Sequence, residues 1–303
     1  MDGKINNIEQ IVSAYELTFT NGKAKGKDVV LVHNGGLEVM FSKTNALDVI
    51  YVKFNGVNIS LLTKNGINEK SAPFLNKFEA GFLYTCGLDN IGGCVENAPM
   101  HGSLHSIPAD KVLVENLGDR VIVKGEILDS ALFGKNLVLQ RCYTVYSDRI
   151  EISDKLTNNA FCDDKFILLY HINYGYPFLD ENLTLEMPSL INSVARVPFA
   201  PTDTKEQFKF TKPIDLEPER CFYNYLKEGK VILKNKAVSI GVEMTYDVNA
   251  LPVTVEWKSM ASGDYALGLE PCTTELDDKF TYRTIKANER IEFFVRISIT
   301  KEE

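Results

Sequence analysis

Apolar and polar residues alternate along much of this chain. In RIEFFVRISIT, Ile291, Phe293, Val295, Ile297 and Ile299 are separated by mostly polar neighbours. VIVKGEIL (121–128) and IEISDKL (150–156) repeat the pattern. A period of two sends one set of side chains to a core and the other to solvent or a second layer. No stretch keeps a helical period over several turns. Asn-Gly pairs, which accept the positive φ values of tight hairpins, stand at 21–22, 34–35, 55–56 and 65–66. Leu117-Gly118-Asp119 separates two further strand-like runs, KVLVEN and RVIVKG. Many short strands joined by such turns predict an all-β sandwich or barrel rather than a βαβ fold.

The chain has 303 residues, 45% of them hydrophobic, enough for a large core. No Gly/Ser or Pro run divides it, so one domain is expected over 1–303. The loosest region is 198–220, with Pro198, Pro201, Pro213 and Pro218; it is expected to cross the surface. GKAKGK (22–27) is too short between its glycines for a phosphate loop and is expected to form a solvated hairpin.

Charge narrows the choice of partners. A formal net charge of −8 argues against nucleic acid and anionic membrane surfaces. The opening MDGKINNIEQ contains no apolar signal core, and no apolar run approaches a membrane span. Cys86, Cys94, Cys142, Cys162, Cys221 and Cys272 form no CxxC pair or zinc framework. A cytoplasmic protein with reduced thiols is the expectation.

Three segments concentrate side chains capable of chemistry. PMHGSLHSIPAD (99–110) carries His101 and His105 in a loop that Pro99, Gly102 and Pro108 keep from being helical. This spacing does not suit zinc; it suits hydrogen bonds to a polar ligand or to loop backbone. In FILLYHINYGYP (166–177), alternation places His171 and Asn173 on the face of Ile167 and Leu169, away from Tyr170, Ile172 and Tyr174. A histidine on an apolar face either has a partner or lies at the wall of a site. In DYALGLEPCTTE (264–275), Glu270 shares a face with Ala266 and Gly268, whose small side chains leave room before the carboxylate. Such a carboxylate is paired, opens to a pocket or faces water at the rim. His33, beside a hairpin turn, reads as structural or exposed.

Taken in order, these segments resemble the aldose 1-epimerase (galactose mutarotase) superfamily, in a divergent branch. NGKAKGKDVVLVHNGGLEV, ALDV, GFLYTCGLDNIGG (81–93), HGSLHSIPA, YHINYGYP, LPVTVEWK (251–258) and GLEPCT carry the resemblance over nearly the whole chain. It implies a large two-layered antiparallel β-sandwich with a sugar cleft on one concave face. It also implies an enzyme, without metal or organic cofactor, that interconverts the α and β anomers of an aldose. Glu270 and His171 would be its base and acid, on opposite sides of the sugar and roughly 5–8 Å apart, by analogy with carboxylates that flank a sugar ring. His101, His105, Asn90, Asn173 and Trp257 would line the cleft, Trp257 as a platform for a sugar face. Two positions depart from the branch, which usually has arginine at Asn45 and at Ser103. Neither residue can supply a guanidinium fork, which makes an anionic substrate less attractive and leaves a non-catalytic carbohydrate-binding protein as the alternative.

Overall fold

The computed structural model describes residues 3–93, 95, 98–197, 203–276 and 280–302. Cys94, Pro198 and Pro201, like the first two residues, lie outside the described residues. Twenty strands are assigned among the described residues, and the one α-helix there, Phe74–Lys77, is a single turn. No described helix is long and apolar enough to cross a membrane.

The strands form antiparallel sheets of five, eight and seven strands. The alternation read from the sequence sets which residues they bury. Val121, Val123 and Ile127 on one strand of the eight-stranded sheet, and Phe293, Val295, Ile297 and Ile299 on another, are all buried. They share a single hydrophobic cluster with Val30, Val32 and Phe41 of the five-stranded sheet and with Tyr170, Ile172, Leu267 and Leu269 of the seven-stranded sheet. The result is an all-β sandwich with a continuous core reaching from Val12 to Ile299.

Turn chemistry agrees with the strand pattern. Asn55 and Gly56 both have positive φ, 50° and 82°, in the two-residue turn that closes Val49–Phe54 onto Val57–Asn58. Of the region expected to cross the surface, the described residues 203–219 are mostly exposed or half-buried and include a short 3-10 helix, Thr204–Phe208, before the strand Arg220–Leu226. One detail differs from the sequence reading. The connection around GKAKGK joins two paired strands as expected, but Lys27 is buried rather than solvated. Its amine lies 2.8 Å from Glu69 and 2.9 Å from Glu79, and donates to Asn45 Oδ1 at 2.7 Å. Three acidic or amide partners offset the desolvation of the ammonium. Asn45 therefore belongs to this internal cluster.

Candidate functional site

The strands Asp164–Tyr174 and Ala266–Cys272 are antiparallel neighbours in the seven-stranded sheet. Their register pairs Ile172 with Leu269 and Asn173 with Gly268, which sets His171 opposite Glu270. Alternation turns both toward the sheet face away from the main core, beside a second cluster that includes Tyr84, Ile167, Leu169, Val255 and Cys272. Tyr84 pairs with His171 from the other side. A row of three side chains, Tyr84–His171–Glu270, thus crosses three strands.

His171 Nε2 lies 3.2 Å from Glu270 Oε1. This corrects the expected 5–8 Å gap. Directly opposed residues in an antiparallel pair have Cα atoms only about 4.5–5.5 Å apart, so no sugar ring fits between them. Both side chains therefore lie on one face of the sheet. The contact is not a hydrogen bond in geometry; Glu270 Oε1 has no hydrogen-bond partner, and neither does the other ring nitrogen of His171, Nδ1.

Burial dominates the electrostatics. His171 is 5% and Glu270 1% exposed. Burial pushes the Glu270 carboxyl well above its usual range; Arg196 opposes the shift and Glu219 adds to it. Burial likewise depresses His171 to about 3, assisted by His101 and opposed by Asn173. Burial thus disfavours the charged form of both groups, the low-dielectric alternative to an ion pair.

The other sequence candidates divide. The His101 ring centre is 5.5 Å from that of His171, and its Nδ1 lies 3.2 Å from the Ile91 carbonyl. Burial is the largest cause lowering its pKa to about 4. Trp257 stands edge-on to His171 at 5.7 Å and donates its indole N–H to Glu219 at 2.7 Å. Asn173 is fully buried, donating to the carbonyls of Gly81 and His171, with Oδ1 unpartnered. His105 stacks on Tyr84 at 3.7 Å and holds Asp48 at 2.7 Å, so it is a wall residue reaching the row through Tyr84. Asn90 is a correction. Its amide donates to the carbonyls of Gly93 and Pro99 and its Oδ1 accepts from Gly92 N–H; fully buried, it clamps its own loop. Ser103 is bonded through N–H and hydroxyl to Asp89. His33 is 3.4 Å from Glu38 at the surface.

Sequence reasoning missed several neighbours. Phe74 and Phe78 stack on each other and flank His101, and Phe78 reaches within 6.4 Å of the His171 ring. Arg196 and Glu219 come from the ends of segments that carry no motif. Only the alternation of GFLYTCG, which places Tyr84 on the face of Cys86, offered a signal. Among the described residues no three His, Cys, Asp or Glu side chains group as a metal ligand set.

The fold defines the class: a galactose mutarotase-like β-sandwich. An aldose 1-epimerase candidate from Klebsiella pneumoniae has a structure similar to this one at a TM-score of 0.86 and 18% identity, over 96% of this chain and 84% of that one. A galactose mutarotase-like protein from Clostridium acetobutylicum gives 0.69 and 14%, over 96% and 99%. A mutarotase candidate from Salmonella typhimurium gives 0.71 and 12%, over 98% and 96%. No curated protein matches in sequence. The chain belongs to the family described as Domain of unknown function (DUF4432), whose model matches residues 24–289.

Proposed function

We propose that this protein is an aldose 1-epimerase-like enzyme in which Glu270 and His171 move the protons of ring opening and closure. The observation that carries the reading is the direct pairing of a buried carboxyl and a buried imidazole at 3.2 Å, sharing a face with the small residues Ala266 and Gly268. The reaction needs one proton removed from the anomeric hydroxyl and one delivered to the ring oxygen. Both oxygens are bonded to the same carbon, so two groups on one side of the sugar reach them together. A pair holding a single proton can donate from one member and accept at the other, and the reverse step restores it. Rotation about the C1–C2 bond between the two steps exchanges the anomers. Both groups are nearly closed to solvent, with the Phe78 ring 6.4 Å from that of His171, so neighbouring side chains must move aside for a sugar to reach them.

The test is a panel of freshly dissolved α-anomers followed by polarimetry or saturation-transfer NMR. Acceleration of at least one aldose, unchanged after exhaustive chelation, is the expected result. Binding of sugars without acceleration of any would favour the carbohydrate-binding alternative, which the non-arginine residues Asn45 and Ser103 recommend.

Gly268 gives a sharper test of the arrangement. A Cβ there would lie 2.4 Å from Glu270 Oε1 and 3.2 Å from His171 Cε1. Gly268→Ala must therefore displace the carboxylate. Turnover should fall about 100-fold, the scale of a misplacement near 1 Å, while circular dichroism stays that of wild type. An unimpaired Gly268→Ala enzyme would show that the carboxylate position is not needed.

A further inference from the structure

We infer that residues 70–78 are the gate of this site, a short flap that swings on a root clamped by the buried Lys27. The inference rests on the reading of Glu270 and His171 as the groups a sugar must reach, and its test separates the two.

Residues 62–80 leave the sandwich and return to the point of departure. Leu62 bridges Ala80; the Thr63 N–H donates to the Glu79 carbonyl at 3.2 Å and the Thr63 hydroxyl to the Phe78 carbonyl at 2.6 Å. The excursion is a closed Ω-type loop. Its two halves are held by different forces. In the first half, Ile67 packs on Val29, Met40 and Ile50 of the five-stranded sheet. The Lys27 ammonium reaches in from the start of that sheet and contacts both Glu69 and Glu79. The Glu69 N–H donates to the Lys23 carbonyl at 2.9 Å, the Lys23 amine to the Asn65 carbonyl, and the Thr44 hydroxyl to Glu69 at 2.7 Å. Pulling this root away would leave an ammonium inside the protein without its carboxylates, a costly state.

The second half is not tied in this way. Among the described residues no hydrogen bond or ion pair joins 70–78 to the chain outside the loop. Its polar bonds run back to the root: Asn65 donates to the carbonyls of Leu75 and Phe78, and Asn68 to that of Lys77. The helix Phe74–Lys77 is a single turn without a side-chain cap, so it has little stability of its own. What joins the flap to the site is aromatic and apolar. The Phe74 ring centre is 5.0 Å from that of His101, and the Phe78 ring centre 6.4 Å from that of His171. Phe78 also packs, with Trp257, against Leu61, Ala80 and Ala266. Ala266 shares the face of Glu270, so Phe78 rests on the face that carries the pair. Separating these rings exposes apolar surface but strands no charge, so the flap opens at lower cost than the root. In the closed form Glu270 is 1% and His171 5% exposed, and closure keeps water from the pair.

Amide hydrogen exchange, resolved by NMR on the full-length wild type, tests the division between root and flap. The Asn76 and Phe78 N–H groups donate within the flap, to the Pro73 and Phe74 carbonyls; those of Asn68 and Glu69 donate in the root, to the Glu79 carboxylate and the Lys23 carbonyl. The flap pair should exchange at least about tenfold faster than the root pair. Diethyl pyrocarbonate, read by peptide mass mapping, tests access to the site. Phe78→Ala should raise the labelling rate of His171 by about tenfold or more and leave that of the surface residue His33 unchanged. Lys27→Met should bring root exchange up to the rate of the flap; where that variant does not fold, the wild-type and Phe78→Ala measurements decide. Equal protection of flap and root in wild type, unchanged His171 labelling in Phe78→Ala, or a folded Lys27→Met protein with its root still protected would overturn the inference. A fast-opening flap that guards His171, with no aldose anomerised, would uphold the gate and defeat the enzymatic reading. Anomerisation with any of the gate measurements failing would do the reverse.

Discussion

Glu270→Gln and His171→Asn should each lower the rate of anomerisation by about 100-fold or more, with sugar affinity reduced far less. Glutamine preserves the shape of the side chain but cannot give up and regain a proton at this site. Asparagine keeps hydrogen-bonding capacity without a titrating ring. In the proposed reaction the two groups, 3.2 Å apart, exchange protons with the same anomeric centre, so removing either leaves the other without its counterpart. The double variant should therefore be about as slow as the slower single one, a non-additivity expected of groups that act as a unit. The pH profile carries a second signature. Burial raises the Glu270 pKa, so the pair loses its proton, and the rate should fall, as pH rises through that value. Burial lowers His171 to about 3, so an acid limb from its protonation should appear only near that pH. Stopped polarimetry across pH checks both limbs. Wild-type activity in either single variant would remove the assignment.

Asp48→Ala should be the most destabilising single change near the site, costing about 3–5 kcal/mol in urea-unfolding experiments. The Asp48 carboxylate is buried and accepts from the Thr85 N–H at 2.8 Å and the Thr85 hydroxyl at 2.5 Å. It also contacts Arg141 Nη1 at 2.6 Å and His105 Nδ1 at 2.7 Å. Arg141 is itself buried and grips Asp154 through Nε at 3.0 Å and Nη2 at 2.7 Å, while Tyr170 donates to the same carboxylate at 2.8 Å. Removing Asp48 leaves the buried Arg141 Nη1 with only the Ala46 carbonyl and frees the ring that stacks on Tyr84. Asp48→Asn should be nearly as costly. Its amide N–H groups would face a site built to satisfy donors. His105→Asn leaves the Arg141–Asp48 contact intact and should cost much less. A fully stable Asp48→Asn protein would show that the network does not behave as a carboxylate-centred unit.

Much of the site was legible in the sequence because its residues lie on strands. Period two put His171 and Asn173 opposite Tyr170 and Ile172, and put Glu270 on the face of Ala266 and Gly268. Both face assignments hold, since a strand cannot rotate one residue out of phase without burying the wrong set. Local chemistry also predicted the Asn55–Gly56 turn and the non-helical backbone at His101, but not the single 3-10 turn Leu104–Ser106 that carries His105. What alternation cannot supply is which strands become neighbours. Pairing of residues 164–174 with 266–272 is a long-range choice, and it alone turned a supposed cleft-spanning pair into a touching one. The same limit hid Arg196, whose backbone joins Cys221, Trp257 and Gly268 in one cross-strand row only through three strand pairings. It also misassigned Asn90 and Lys27: a polar side chain in a loop reads the same whether its partners are a ligand, water or its own backbone. Periodicity along the chain fixes the faces of strands; long-range pairing and the satisfaction of buried polar groups, which depend on contacts distant in sequence, decided how the site is assembled.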